Sequence, residues 1–219
     1  RVIYGRQGYH QPRYESTLTI TDPSQKDGEP LTGFAFMPAA VRLGLSAEFD
    51  LRAVRLALAW LADNSTELVV RVSVSSLLKE GFIQTVRHAL TAGQAPDGKS
   101  VLSRLIIELD AYGVSTYPAE VREFCEMVHD AGVRVGVRGV AQHLDVVARL
   151  EALPVVYIKL AGGFIEDLGT SQGAVSLLNA VAHTATAARI HILVDDMPSE
   201  AAAMLLRDHG AQFRITKND

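Results

Sequence analysis

Short apolar segments alternate along the chain with longer segments whose apolar residues recur every three or four positions. The short segments predict strands at 2–5, 14–20, 67–74, 104–110, 133–138, 155–160, 190–194 and 212–215. The helical spacing predicts helices at 34–43, 47–63, 75–92, 117–130, 142–152, 173–186 and 199–209. The chain therefore consists of about eight strands, most of them followed by a helix.

Alternation of this kind favours a parallel sheet covered by helices. About eight units in 219 residues fit an α/β fold of the TIM-like (β/α)8 barrel type better than an open, doubly wound sheet. A turn punctuated by Gly8 and Pro12 joins the first two strands, so we expect this pair to be antiparallel. We find no repeat or domain break, so residues 1–219 are expected to form one domain. Because the sequence begins at Arg1, we expect that domain to be cut from a larger protein.

Composition limits the classes of partner. The net charge is −4, the pI is about 6.0 and there is no basic run, which argues against binding to nucleic acid or to an anionic membrane. Cys125 is the single cysteine, which excludes an intrachain disulfide and fits a reducing, cytoplasmic compartment. It falls in a helical pattern, so we expect it to be a buried small hydrophobe. The apolar runs are too short to span a bilayer, so membrane attachment would require segments outside this chain.

Six segments resemble, in order and spacing, the EAL domain, the cyclic di-GMP phosphodiesterase family. They are YESTLTI (14–20), FAFMPAAVRLGLSAEFD (34–50), VVRVSVSSLL (69–78), LIIELD (105–110), the stretch from AGVRVG to FIEDL (131–168) and ILVDDMPSEAAAMLLRDHGAQF (192–213). Each motif is weak individually, but together they cover essentially the whole chain. The resemblance implies a barrel of the EAL type. It also implies an active site in which Mg²⁺ or Mn²⁺ ions at the carboxyl ends of the strands activate water for hydrolysis.

The resemblance also identifies which residues stand at the expected ligand positions. Glu15, Glu108 and Lys159 retain the family's residue types. The other positions have changed: Ser73 replaces an asparagine, Arg138 and Gly139 replace an aspartate pair, Asp195 replaces a glutamate, and Thr19, Ala111, Ala161, Pro198 and about Ile215 replace polar or charged residues. Loss of the aspartate pair removes much of the negative charge that would hold a divalent ion.

Arg138 adds a guanidinium that remains charged at any ordinary pH. We therefore predict no Mg²⁺ or Mn²⁺ site, no catalytic residue and no hydrolysis. Two interpretations of Arg138 remain. It lies between Glu15 and Glu108 as an internal counterion, with Lys159 near Asp195 or in the same cluster. Alternatively, it binds the phosphate of an intact cyclic dinucleotide.

If cyclic di-GMP is bound, the expected ligand-binding residues are Glu15, Ser73, Glu108, Arg138, Lys159 and Asp195. Three other features each have a simpler structural explanation. The Asp195-Asp196 pair fits a strand-end turn and helix cap better than a metal site. Gln11-Pro12 lies too close to Glu15 to be the family's ligand-contacting segment. Gly162-Gly163 fits a plain turn after a strand better than a phosphate-binding loop.

These observations favour a catalytically inactive EAL-like domain that acts as a signalling or interaction module in cyclic di-GMP-related regulation. It would act through a protein partner or through a homodimer, for which the surface formed by 112–130 and 142–152 is the expected interface. One alternative is a receptor that binds cyclic di-GMP without hydrolysis. Another is a residual phosphodiesterase that uses Glu15, Glu108 and Asp195 with a metal ion.

Overall fold

The computed structural model of the protein describes residues 2–3, 13–21, 29–93, 101–194 and 199–213. Its strands are β1 (Val2–Ile3), β2 (Arg13–Glu15), β3 (Thr19–Ile20), β4 (Leu31–Thr32), β5 (Glu67–Arg71), β6 (Leu105–Asp110), β7 (Arg134–Arg138), β8 (Val155–Leu160), β9 (His191–Val194) and β10 (Gln212–Phe213). One sheet has the order β1-β2-β5-β6-β7-β8-β9-β10. Its first pair is antiparallel and the other pairs are parallel, as the sequence predicted.

Helices follow most of the strands. They are α1 (Gly33–Arg42), α2 (Ser46–Asp63), α3 (Val74–Leu77), α4 (Phe82–Ala92), α5 (Ala111–Thr116), α6 (Pro118–Asp130), α7 (Gly163–Asp167), α8 (Gln172–Ala187) and α9 (Glu200–Asp208), with 3₁₀ helices at Val101–Arg104, Val140–Gln142 and Leu144–Ala152. The main core lies between the helices and the sheet, where Leu61 of α2, Val86 of α4, Phe124 of α6 and Leu178 of α8 are fully buried. The predicted alternation of strand and helix is thus confirmed.

Three predicted elements differ in detail. The strand expected at 14–20 is divided, because β2 ends at Glu15 and β3 pairs instead with β4 in a separate antiparallel pair. The helix expected at 75–92 is broken before α4, where Gly81 adopts a left-handed φ of 77° that favours glycine. The segment expected as a helix at 142–152 is a 3₁₀ helix from Leu144 to Ala152.

Cys125 lies inside α6 with its side chain fully buried. Burial raises the pKa of its thiol to about 12, and the nearby Glu126 carboxylate adds to this rise. The thiol is therefore protonated and unreactive at neutral pH, which confirms that Cys125 packs as a small hydrophobe. In the described part of the chain, no helix is long and apolar enough to cross a membrane.

A small apolar cluster lies in the interior of the curved sheet. Val69, Ile106, Tyr157 and Leu193 form a small buried cluster there, each on a different strand. Tyr157 occupies the space beside Gly136: a Cβ atom added at Gly136 would lie 2.2 Å from the Cζ atom of the tyrosine ring. Residue 136 is therefore a glycine because the ring of Tyr157 needs this volume.

We expect Gly136→Ala to lower the free energy of unfolding by about 2–3 kcal/mol, because the new methyl group must displace a buried ring. Gly163→Ala is the matched control, since nothing lies within 4 Å of a Cβ placed there. Urea denaturation would measure both variants. Equal stability of the two variants would show that Tyr157 does not fill the interior beside Gly136.

A buried ionic cluster closes the amino end of the interior. Glu67, the first residue of β5, accepts from Arg13 Nε at 3.0 Å and from Arg134 Nη2 at 2.7 Å. The guanidinium carbon of Arg13 also lies 4.9 Å from the centre of the Tyr157 ring. Burial and, secondly, the charge of Arg13 lower the pKa of the nearby His191. One carboxylate thus holds two guanidinium groups beneath the aromatic ring.

Candidate functional site

Charged side chains gather at the carboxyl ends of five neighbouring strands. Glu15 ends β2, Arg71 ends β5, Arg138 ends β7, and Glu108 and Lys159 lie near the ends of β6 and β8. Parallel pairing brings them together: Arg71 is in register with Glu108, and Arg138 with Lys159. We call this region the mouth. In barrels built from parallel strands, sites of chemistry form at this end.

A buried ammonium group lies at the centre of the mouth. Lys159 Nζ is 2.5 Å from Glu15 Oε1 and 2.6 Å from Glu108 Oε1, and Lys159 is only 1% exposed. The Tyr157 hydroxyl donates to the same Glu108 oxygen at 2.9 Å. Lys159 therefore bridges the two glutamates that the resemblance marked as metal ligands.

These partners determine the protonation of Glu108. Burial has the largest single effect and would raise the pKa of Glu108. However, Lys159, Arg71 and Tyr157 together hold that pKa below its ordinary value of 4.5. Glu108 is therefore ionised at neutral pH although it is buried, and its charge is balanced by cations of the chain itself.

Arg138 is an ion-pair partner of Glu108, as the counterion interpretation expected, but it does not occupy the expected position between Glu15 and Glu108. Its Nε atom is 4.0 Å from Glu108 Oε2, and its Nη1 atom is 3.8 Å from Asp110 Oδ2. Arg138 is in register with Asp110, the last residue of β6, so it reaches the cluster from the rim. Its side chain is 39% exposed, whereas the fully buried Lys159 occupies the position between the two glutamates.

Arg71 is a further member of the site that the sequence did not single out. Its Nε atom donates to Glu108 Oε2 at 3.2 Å, and its side chain is 51% exposed. The strand alternation that places Glu67 and Val69 on the inner face of β5 also places Arg71 there. That alternation was visible in the sequence, but the buried partner Glu108 lies on another strand.

Ser73, which was predicted to contact cyclic di-GMP if the nucleotide is bound, is hydrogen-bonded to Asp50. Its backbone N–H and its hydroxyl donate to Asp50 Oδ2 at 2.8 and 2.7 Å, and the Ser76 hydroxyl donates to the same oxygen at 2.6 Å. Burial, the largest cause, raises the pKa of Asp50 even though these hydrogen bonds favour its ionised form. Ser73 thus connects the segment after β5 to α2 through Asp50.

Several predicted positions lie outside the described residues. They are Asp195, Asp196, Pro198, Gln11-Pro12 and Ile215. Of the remaining positions, Thr19 is exposed in β3, and Gly162 directly precedes the short helix α7. Within the described ranges, no group of three or more His, Cys, Asp or Glu side chains is arranged to hold a metal ion.

The fold and the mouth define the class of protein. The sequence matches the family model of the EAL domain over residues 13–214, and this chain belongs to the EAL domain family. The mostly parallel sheet with its helices matches the TIM-like barrel of that family, so the predicted fold class is confirmed.

Solved structures of EAL domains are similar to this chain throughout its length. The FimX EAL domain from Pseudomonas aeruginosa bound to c-di-GMP superposes with a TM-score of 0.82 at 20% identity, over 97% of this chain and 85% of that one. A Vibrio cholerae LapD fragment (S helix-GGDEF-EAL) bound to c-di-GMP gives 0.83 at 19% identity, over 98% of this chain and 51% of that one. Identities this low show a shared fold.

A curated relative is longer than this chain. An uncharacterized protein of Mycobacterium tuberculosis is 23% identical over 181 residues, which are 79% of this chain. The match covers 28% of the relative, so this chain spans little more than a quarter of its length.

Proposed function

We propose that this chain is a catalytically inactive EAL domain that acts as a signalling module in cyclic di-GMP-related regulation, through a protein partner or through self-association. The observation that carries this proposal is the cationic lining of the mouth. Lys159 bridges Glu15 and Glu108, and Arg71 and Arg138 add two guanidinium groups at 3.2 and 4.0 Å from Glu108 Oε2. The family resemblance implies that hydrolysis depends on a divalent metal ion, so a barrel that does not bind one would keep only a role in recognition.

The donor set of the mouth does not fit Mg²⁺ or Mn²⁺. These hard cations need several oxygen ligands with concentrated negative charge. In the described mouth, Glu108 already contacts the positive groups of Lys159 and Arg71, and Arg138 lies 4.0 Å away. A divalent ion placed here would face three cations and would have to displace the ammonium from its two carboxylates. No step of a reaction is therefore assigned to a metal.

Incubation of the protein with cyclic di-GMP and added Mg²⁺ or Mn²⁺ tests this proposal. We expect no product above the buffer control when the nucleotides are separated by chromatography. Turnover that disappears in Glu15→Ala, but persists in the exposed control Glu48→Ala, would contradict the proposal. That result would favour the residual phosphodiesterase.

A second candidate is a receptor that binds cyclic di-GMP without hydrolysis. The observation that favours it is the presence of two partly exposed arginines, Arg71 and Arg138, on the same rim of the mouth. Arginine is well suited to phosphate oxygens. The FimX and LapD structures named above hold c-di-GMP, which is consistent with this candidate.

The predicted interface for self-association remains a prediction. In the structure, the 3₁₀ helix at Leu144–Ala152 is tied to α5, because Ser115 donates to Asp145 and Arg149 donates to the backbone oxygens of Val114 and Ser115. The two parts of the predicted surface are thus joined. Tyr112, in the first part, is 45% exposed, and its ring centre lies 5.8 Å from that of His143 in the second part.

A further inference from the structure

Arg71 and Arg138 approach one carboxylate from opposite sides. They lie on β5 and β7, which flank β6, and both Nε atoms point towards Glu108 Oε2, at 3.2 Å and 4.0 Å. Glu108 is itself fully buried and hydrogen-bonded to Tyr157. A fixed anion inside the barrel therefore orients two guanidinium groups at its rim.

The arginines differ in how firmly they are held. Arg71 donates a hydrogen bond to Glu108, whereas Arg138 contacts Glu108 and Asp110 only at ion-pair distances. The Nε atom of Arg138 is buried and makes no hydrogen bond within the described part of the chain. Because no hydrogen bond to a described residue fixes this donor, the Arg138 guanidinium group is held less firmly than that of Arg71.

We propose that Arg71 and Arg138 form a metal-independent clamp for a phosphate group, with Glu108 as the residue that positions both guanidinium groups. The proposal rests on the receptor candidate described above and specifies how its ligand is held. Guanidinium groups match phosphate oxygens with paired N–H donors and supply positive charge where a metal-dependent relative uses an ion. About half of the Arg71 side chain and 39% of the Arg138 side chain are accessible to such a ligand.

The charges around the clamp determine how it binds. The described contacts join the cations Arg71, Arg138 and Lys159 with the carboxylates Glu15, Glu108 and Asp110. These six charges of described residues sum to zero, so we expect directed hydrogen bonds to contribute more to binding than the net charge of the six groups does. Asp110 is the competitor at the rim, because it faces Arg138 Nη1 from 3.8 Å.

Calorimetry with cyclic di-GMP, in buffer containing EDTA, tests the clamp. We expect Arg71→Gln and Arg138→Gln each to weaken binding about tenfold, which is the effect of one charge-assisted contact. Arg87→Gln, an exposed site on α4, is the matched control and should bind as the unmodified protein does. Arg71→Lys and Arg138→Lys should be intermediate, since lysine keeps the charge but loses the paired donors.

A variant that should strengthen binding provides a further test of the clamp. Asp110→Asn removes the competing charge but keeps a side-chain oxygen that can cap α5, where Asp110 accepts from the backbone N–H of Tyr112. We expect this variant to bind cyclic di-GMP several-fold more tightly. Inorganic phosphate should compete with the dinucleotide in the unmodified protein, which would show that the phosphate group itself is recognised.

Three outcomes would overturn the clamp, and each has a separate meaning. Unchanged binding in the Arg71→Gln/Arg138→Gln double variant would leave the receptor candidate intact but would place its ligand elsewhere. Binding that EDTA abolishes would show that the ligand is held by a metal ion. Absence of cyclic di-GMP binding to the unmodified protein would remove both the clamp and the receptor candidate, while the proposal of an inactive module would stand.

Discussion

Replacing Lys159 with methionine is expected to lower the free energy of unfolding by about 3–5 kcal/mol, because the change leaves two carboxylates without their shared counterion. Lys159 is 1% exposed, and its Nζ atom lies within 2.6 Å of both Glu15 Oε1 and Glu108 Oε1. Methionine fills a similar volume, so the loss measures charge compensation more than packing. Urea denaturation monitored by circular dichroism gives the value.

Lys79→Met is the control: Lys79 is exposed and its Nζ atom donates to the Gly44 carbonyl oxygen at 2.6 Å, so the expected effect is at most about 1 kcal/mol. A second comparison separates charge from shape. The triple variant Lys159→Met/Glu15→Gln/Glu108→Gln removes all three charges and should recover part of the loss, because no uncompensated carboxylate remains buried and the arginines that lose Glu108, Arg71 and Arg138, are partly exposed to solvent. If the single variant were as stable as the unmodified protein, the bridge would have no structural role.

The same bridge predicts a dependence on pH. The pKa of Glu108 is lowered in the folded state, so its ionised form stabilises the protein above the pKa of the unfolded chain. That stabilisation is lost as the pH falls through the folded pKa. In Lys159→Met, burial is no longer opposed by the ammonium group and the pKa of Glu108 rises. The difference between the variant and the unmodified protein should therefore be largest near pH 7 and should shrink below about pH 4.

Glu67→Gln at the opposite end of the interior is expected to cost about 3–4 kcal/mol, because it removes the anion that Arg13 and Arg134 share while their two positive charges stay close together. Glu67 contacts Arg13 Nε at 3.0 Å and Arg134 Nη2 at 2.7 Å. Glutamine keeps the shape and one acceptor oxygen, so the loss reports mainly the missing charge. Arg13 and Glu67 are both buried, and solvent therefore screens their interaction little.

Glu123→Gln, an exposed site on α6, serves as the control and should change stability by less than about 0.5 kcal/mol. Adding Arg134→Met to Glu67→Gln should recover part of the loss, because it removes one of the two repelling cations. Arg134 is the partner to remove because it is the more exposed of the two arginines. No loss in Glu67→Gln would mean that other groups neutralise the cluster.

Local periodicity was sufficient to predict most of the architecture. The apolar run at 155–160 became β8 with the bounds that the sequence suggested, and the helical spacing at 47–63 became α2, which begins one residue earlier. Hydrophobic patterning within ten or twenty residues determines which element forms and which side it buries. The 14–20 strand and the 75–92 helix were divided because a separate pairing with β4 and a left-handed Gly81 interrupt the local pattern.

The family resemblance in the sequence also predicted that Glu15 and Glu108 lie together at the carboxyl ends of the strands, with Lys159 near Asp195 or in the same cluster. Only the tertiary structure decided which charges pair. Lys159 and Glu15 are 144 residues apart, and Glu67 is 54 and 67 residues from its two arginines. Such pairings depend on strand register and on the reach of each side chain across the interior. For that reason the sequence did not predict that Lys159 bridges the two glutamates, that Arg138 stays at the rim of the mouth, or that Arg71 belongs to the site.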